Sequence, residues 1–147
     1  MPHFILSHGP LGPLIDLYIG VSSPRFTALQ KEGQTPPTPI LAKALVDTGA
    51  SHSAVDVIII DALGVSAKRI ASVITPSTGS VPHKFHTFDV SIYIPITKDV
   101  VPWSKGAHEV TRAELKHQGF DVLIGRDILA EGILIYDGRN NLFTLCF

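Results

Sequence analysis

Apolar and polar residues alternate most regularly between Thr87 and Ile96. Phe88, Val90, Ile92, Ile94 and Ile96 interleave there with Thr87, Asp89, Ser91, Tyr93 and Pro95. A period of two sends the apolar side chains to one face, so this stretch predicts a half-buried β-strand. Leu14 to Val21 is a β-rich apolar run behind the breaker pair Gly12-Pro13, and Ile40 to Val46 is a second that runs straight into Asp47-Thr48-Gly49. Lys68 to Ile74 and Pro82 to His86 flank the turn-rich Thr75-Pro76-Ser77-Thr78-Gly79-Ser80, which predicts a long hairpin. Phe120 to Ile124 reads as an apolar strand interrupted by Asp121. Ile133 to Tyr136 and Leu142 to Phe147 read as a hairpin about Asp137-Gly138-Arg139-Asn140-Asn141.

Helical signals are few. Asp56 to Leu63, with an Asp near its start and Gly64 just past its end, is a short helix or, given its isoleucines, a buried strand. Arg126 to Glu131 fits a short helix ended by Gly132. Ser22 to Pro39 is polar and dotted with proline, which predicts a long surface loop. Between Lys98 and Gln118 the pattern is weak: Thr111-Arg112-Ala113-Glu114 is a capping box or part of a strand. The fold class expected is mostly β with one or two short helices.

Composition narrows the class. At 147 residues the chain is expected to be one domain spanning 1–147. With 45% hydrophobic and 17% charged residues it builds a packed core rather than a disordered chain. Twelve Lys+Arg against 13 Asp+Glu leave a net charge of −1, no field for nucleic acid or an anionic membrane. The longest aliphatic run, Val57-Ile58-Ile59-Ile60, is far too short to span a bilayer. The start, Met1-Pro2-His3-Phe4-Ile5-Leu6-Ser7, lacks the basic and apolar regions of a secretion signal. One cysteine, Cys146, makes no intrachain disulfide and reads as a small buried hydrophobe or an interface thiol. The expectation is a soluble cytoplasmic protein.

No metal or other cofactor is expected. His83 and His86 are three apart, which on a strand points them to opposite faces, and no Cys or second His pair completes a tetrahedral set. Trp103 reads as a cover over one edge of the core.

Two segments carry chemistry: Ala44-Leu45-Val46-Asp47-Thr48-Gly49-Ala50-Ser51 and Leu123-Ile124-Gly125-Arg126-Asp127-Ile128-Leu129. In the first, an apolar strand delivers an Asp at its end, a hydroxyl residue can bond neighbouring backbone, and Gly permits a sharp turn. By itself that tripeptide equally describes a strand-ending Asx turn. As a phosphoryl-transfer nucleophile Asp47 lacks company, since neither a Gly-rich phosphate loop nor a second acidic cluster accompanies it. Together, however, the two segments resemble the retroviral-type aspartic proteases, the retropepsins, and their single-domain cellular and bacterial relatives.

The resemblance runs from about Leu14 to the C-terminus, with 98–118 unmatched. It implies a single-lobe acid-protease barrel in which Leu123, Ile124 and Gly125 pack beneath the Asp-Thr-Gly loop and Arg126 opens a short helix. It also places a flap at the 75–79 hairpin tip. Asp47, Thr48 and Gly49 would form the catalytic loop; Ala50, Ser51, His52, Ser77, Thr78, Gly79 and Leu123 would meet substrate; Ile124, Gly125 and Arg126 would support the site. Retroviral enzymes usually carry Asp where Ser51 stands, paired with the Arg that matches Arg126. That pair is absent here, which leaves Asp127, Asp56 or a backbone carbonyl as the partner of Arg126. Ala50 follows the retroviral pattern, where pepsin-like enzymes have Ser.

Aspartic protease chemistry needs two carboxylates sharing a proton, and the chain holds one Asp-Thr-Gly. The expected enzyme is therefore a homodimer acting on a peptide or protein, with the C-terminal strand in its interface. The competing expectation is a catalytically inactive module of the same fold, used for dimerisation or peptide binding.

Overall fold

Inward-facing side chains of six strands meet in one barrel interior. The computed structural model describes residues 2–74, 79–96 and 101–147. Strand β2 (Leu14–Val21) pairs antiparallel with β3 (Ile40–Val46), and β3 lies parallel to β8 (Val122–Ile124). Next come β4 (Ala54–Asp56), antiparallel to β8, then β7 (Trp103–Ala113), parallel to β4, and β6 (His83–Ile94), antiparallel to β7. Pairing of β6 with β2 closes the ring. Closure removes the sheet edges that would otherwise invite strand addition. Strand β5 (Arg69–Val73) stays outside the ring and, among the described residues, pairs with β6 alone.

The alternation read from sequence is what fills the barrel. Leu17, Ile19, Val90, Ile92, Ile94, Val122 and Ile124 are all at most 1% exposed. Each such Leu or Ile stabilises the fold by roughly 1.5–3 kcal/mol. A second sheet has the order β1 (His3–Ser7), β10 (Leu142–Cys146), β9 (Ile133–Asp137), so β10 is paired on both sides. Phe143 and Leu145 point from β10 into the core. Directly paired residues share a face, so the rows His3–Cys146–Ile133, Ile5–Thr144–Ile135 and Ser7–Leu142–Asp137 make up the outer one.

Several expectations are corrected. The segment 22–39 is not all loop, because α1 (Ser23–Lys31) forms with Pro24 in its first turn. Only Leu29 of that helix is buried, so almost no apolar stripe marks it in sequence. His83–His86 and the alternating stretch are one 12-residue strand, which ends at Ile94 although Ile96 is still buried. Thr111 to Ala113 belong to β7 and not to a helical cap. Strand β1 was not anticipated at all, and Phe120 to Ile124 shortens to β8.

Helix α2 (Val57–Leu63) forms as the Asp and Gly64 signals predict, so its isoleucines do not make it a strand. Buried Asp56 caps it: Oδ1 accepts the Ile58 N–H at 2.9 Å, and Oδ2 accepts those of Leu115 and Lys116 at 2.8 Å each. Burial alone would raise its pKa, but the three N–H groups outweigh it and hold the carboxyl below its ordinary value. Helix α3 (Arg126–Leu129) follows β8 directly. Trp103 stacks on Phe147 at 4.8 Å, half-buried against the core edge. No helix among the described residues is long and apolar enough to cross a membrane.

Candidate active site

Parallel neighbours end on the same side of a sheet, so β3 and β8 release their C-terminal ends next to each other. Val46 pairs with Ile124, and the Asp47 N–H continues the ladder to the Ile124 carbonyl at 2.9 Å. The chain then turns. Asp47 Oδ1 accepts the Gly49 N–H at 2.7 Å, an Asx turn, and the Ala50 N–H reaches the Asp47 carbonyl at 3.3 Å. Asp47 is half-buried and Thr48 and Gly49 are exposed, which leaves the carboxylate open to a ligand.

The β8 end holds this loop from beneath. Arg126 donates its backbone N–H to the Ala50 carbonyl at 2.9 Å and its Nη1 to the Thr48 carbonyl at 2.8 Å. Of the three partners open for Arg126, the backbone carbonyl is the one it takes. Gly125 has a steric reason: a Cβ there would lie 2.7 Å from the carbonyl carbon of His52 and 2.8 Å from its oxygen. Ile124 is fully buried under the turn.

Behind the loop stands a polar cluster. Ser53 is fully buried; its Oγ donates to Asp127 Oδ1 at 2.8 Å and accepts the Gly125 N–H at 3.0 Å. The Ser53 N–H binds Asp127 Oδ2 at 2.9 Å, and His108 Nε2 lies 3.0 Å from the same oxygen. Burial pushes the Asp127 pKa up, but the hydrogen bonds from His108 and Ser53 outweigh it and hold it at about 2. An ionised carboxylate only accepts, so Nε2 of His108 carries the proton of that bond.

A cavity of about 340 Å³ opens beside the loop. Gly49, Ala50, Ser51, His52, Leu123 and Arg126 line one side; Ile74 and Phe85 from the β5–β6 hairpin line another. Asp47 and Thr48 stand next to this lining without forming part of it. Ser51 Oγ lies 3.0 Å from His52 Nδ1, and His52 also borders a neighbouring cavity of about 280 Å³ with Arg69, Ile70 and Glu109. Gly79 sits exposed in the hairpin turn at φ +61° and does not line the cavity. Ser77 and Thr78 lie outside the described residues. Another cavity, about 490 Å³ between Tyr18, Pro39, Tyr93 and Lys105, lies elsewhere and has no carboxylate in its lining.

No protein-family model matches the chain, and no curated protein matches it. Among solved structures, a retropepsin-like aspartic protease from Rickettsia conorii aligns over 97% of this chain and 89% of its own, with a TM-score of 0.57 and 16% identity. The fold is retropepsin-like. The retroviral protease-like domain of Ddi1 from Leishmania major aligns over 88% of this chain and 86% of its own at 14% identity, with a TM-score of 0.40, too low to argue from. At these identities the likeness is one of backbone, and the roles of residues rest on geometry.

Within this retropepsin-like barrel, sequence reading missed Ser53, His108, Phe85 and the Thr111–Ala113 wall. One signal was available. Asp127 stands at the head of a four-residue helix beside a buried strand, and such a carboxylate needs donors. Nothing in the sequence pointed to His108.

Proposed function

We propose that the chain is an aspartic endopeptidase, a single domain over 1–147 that works as a homodimer in the cytoplasm. The carrying observation is an accessible Asp47 at a strand end, in a turn gripped by Arg126 and beside a cavity walled by a hairpin. Two carboxylates in contact cannot both ionise, so Asp47 and its symmetry mate would share a proton. The ionised one takes a proton from water as its oxygen attacks the peptide carbonyl carbon, while the protonated one donates to the carbonyl oxygen. Collapse breaks the C–N bond, and a proton passes to the leaving amine.

In this reading Thr48 locks the two loops together, and the Gly49 carbonyl receives the substrate backbone. Ala50, Ser51, His52 and Leu123 border the side-chain subsites, and the hairpin with Ser77, Thr78 and Gly79 closes over the peptide as a lid. Ile124, Gly125 and Arg126 support the turn. The cavity next to Asp47, with Leu123, Ile74 and Phe85 in its wall, favours an extended, largely apolar peptide.

The C-terminal strand enters the dimer contact through a face, because both its edges are occupied. Ile5, Ile133 and Ile135 are 58%, 50% and 56% exposed on the outer face of that sheet, where a solvated sheet carries polar residues. The partner we assign to it is a second copy, since one copy holds half the carboxylate pair.

The test is cleavage of a peptide library between pH 4 and 7, with sedimentation on the same samples. Wild type should cut, with activity falling on both sides of an acidic to mildly acidic optimum as the pair gains or loses its single proton. Asp47→Asn should be folded, dimeric and inactive. Cleavage unchanged in Asp47→Asn ends the protease reading; a stable dimer that binds peptides without cutting them points to the inactive module.

A further inference from the structure

Asp127 receives more than an ordinary surface acid would. Four donors converge on it: the Ser53 N–H at 2.9 Å, the Ser53 hydroxyl at 2.8 Å, His108 Nε2 at 3.0 Å and the Ile128 N–H at 3.0 Å. The side chains of His108 and Asp127 are only 10% and 18% exposed. Removing one donor therefore leaves a largely desolvated carboxylate underbonded, which costs far more than an exposed pair would.

The cluster is also placed between two parts of the site. Ser53 ends the loop that starts at Asp47, and its hydroxyl fixes the Gly125 N–H at 3.0 Å. Its carbonyl accepts the Thr111 N–H at 3.1 Å, so it is tied to β7 a second time. Strand β7 carries His108 and, three residues on, the Thr111–Ala113 wall of the cavity. Asp127 directly follows Arg126, which grips the Thr48 and Ala50 carbonyls. A shift of the His108 imidazole thus passes through one carboxylate to both the floor of the turn and the cavity wall.

We propose that His108 is a positioning residue of the site: through Asp127 and Ser53 it sets where Gly125 and Arg126 hold the Asp47-Thr48-Gly49 turn. It touches neither substrate nor reacting atoms. The kinetic part of this proposal rests on the endopeptidase reading; the placement of the turn does not.

The experiment uses the full chain with His108→Leu, His108→Gln, His108→Asn, Ser53→Ala and the Ser53→Ala/His108→Leu pair. Gln can bring an amide N–H to the place of Nε2, whereas Leu cannot donate and Asn is too short. The first readout is the amide resonance of Gly49, whose N–H is held by Asp47 Oδ1. It should move in His108→Leu and His108→Asn and return close to wild type in His108→Gln.

The second readout is peptide cleavage. In His108→Leu, kcat should drop about ten- to hundredfold, the scale of an ångström-level misplacement, while KM changes by less than about twofold. His108→Gln should recover most of kcat. The double variant should lose little more than the worse single one, because both break one network. If Leu fails to fold, the Gln and Asn comparison decides alone. An unmoved Gly49 resonance with unchanged kcat in His108→Asn, or Gln as damaging as Leu, overturns the proposal. If wild type cuts no peptide, the endopeptidase reading falls, and the Gly49 resonance still decides the role of His108.

Discussion

The floor and the roof of the candidate cavity are held in opposite ways. Below, the turn at Asp47 is fixed by hydrogen bonds to Ile124 and Arg126, and behind it the Ser53 hydroxyl joins Asp127 to the Gly125 N–H. Above, the β5–β6 hairpin is secured at its root by solvent-facing charges. Lys68 Nζ meets Asp89 at 2.9 Å and Arg69 Nη2 meets Glu109 at 2.6 Å, with the Lys68 and Arg69 side chains 50% and 65% exposed. Ion pairs in that setting are screened and add little to stability. In the endopeptidase reading this division would suit a site that keeps a carboxylate in one place and admits a peptide: a floor held by buried hydrogen bonds and a hairpin root held by exposed ion pairs.

The sharpest way to break the floor is Gly125→Ala. Its Cβ would press on the His52 backbone, which has no flexible side chain to give way. A loss of about 3 kcal/mol or more is expected, read as a fall in the urea midpoint or failure to fold. A neutral result would mean that floor and roof are equally soft.

Acid tests the same region next. Asp127 has a folded pKa near 2, below its ordinary value, so the unfolded chain takes up that proton first as pH falls. Its contribution of roughly 2 kcal/mol is fully present above about pH 4 and is lost as pH drops through 2. Asp56, also shifted down, adds to the same limb. Urea midpoints at pH 5, 4, 3 and 2 should decline, and Asp127→Asn should flatten part of that decline.

The roof should respond differently. At φ +61° Gly79 occupies a conformation that a β-branched residue resists, yet an added Cβ there would meet nothing within 4 Å. Gly79→Val should raise KM about threefold through a stiffer tip and lower the thermal midpoint far less than Gly125→Ala does, because its strain is confined to an exposed turn. Smallest of all, Glu109→Gln removes the charge that Arg69 and Lys68 share. The thermal midpoint should hardly change, and that small change should vanish in high salt. A large, salt-independent loss would show the hairpin root to be as rigid as the floor.

Legibility followed the same division. The Leu14–Val21 and Ile40–Val46 strands were readable from their apolar runs and the helix after Asp56 from its cap, as one of two alternatives, whereas the place of Leu123–Arg126 beneath the Asp47 turn was legible only through the family resemblance. The polar helix at Ser23–Lys31 was not, since a helix that buries one residue leaves no periodic trace. Strand β7 escaped because its outward positions are as mixed as a loop's, and with it went His108, whose role depends on a partner 19 residues away in sequence. Hydrogen bonds between distant side chains have no period to detect. The partner of Arg126 was readable only as a choice of three, because a backbone carbonyl has no residue identity.

The parallel pairing of β3 with β8 also bears on when the molecule becomes itself. Thr48 and Arg126 are brought together across a separation of 78 residues, and the barrel cannot close until β8 is inserted between β3 and β4. Contacts of such long range form slowly and late, after the loop-closure entropy of the intervening chain has been overcome. During synthesis, a nascent chain that has not yet released Val122 from the ribosome has every residue of the Asp47 turn but lacks the Ile124 and Arg126 contacts that hold it from beneath. In the endopeptidase reading, cutting would therefore arise only after translation has passed the turn's last support.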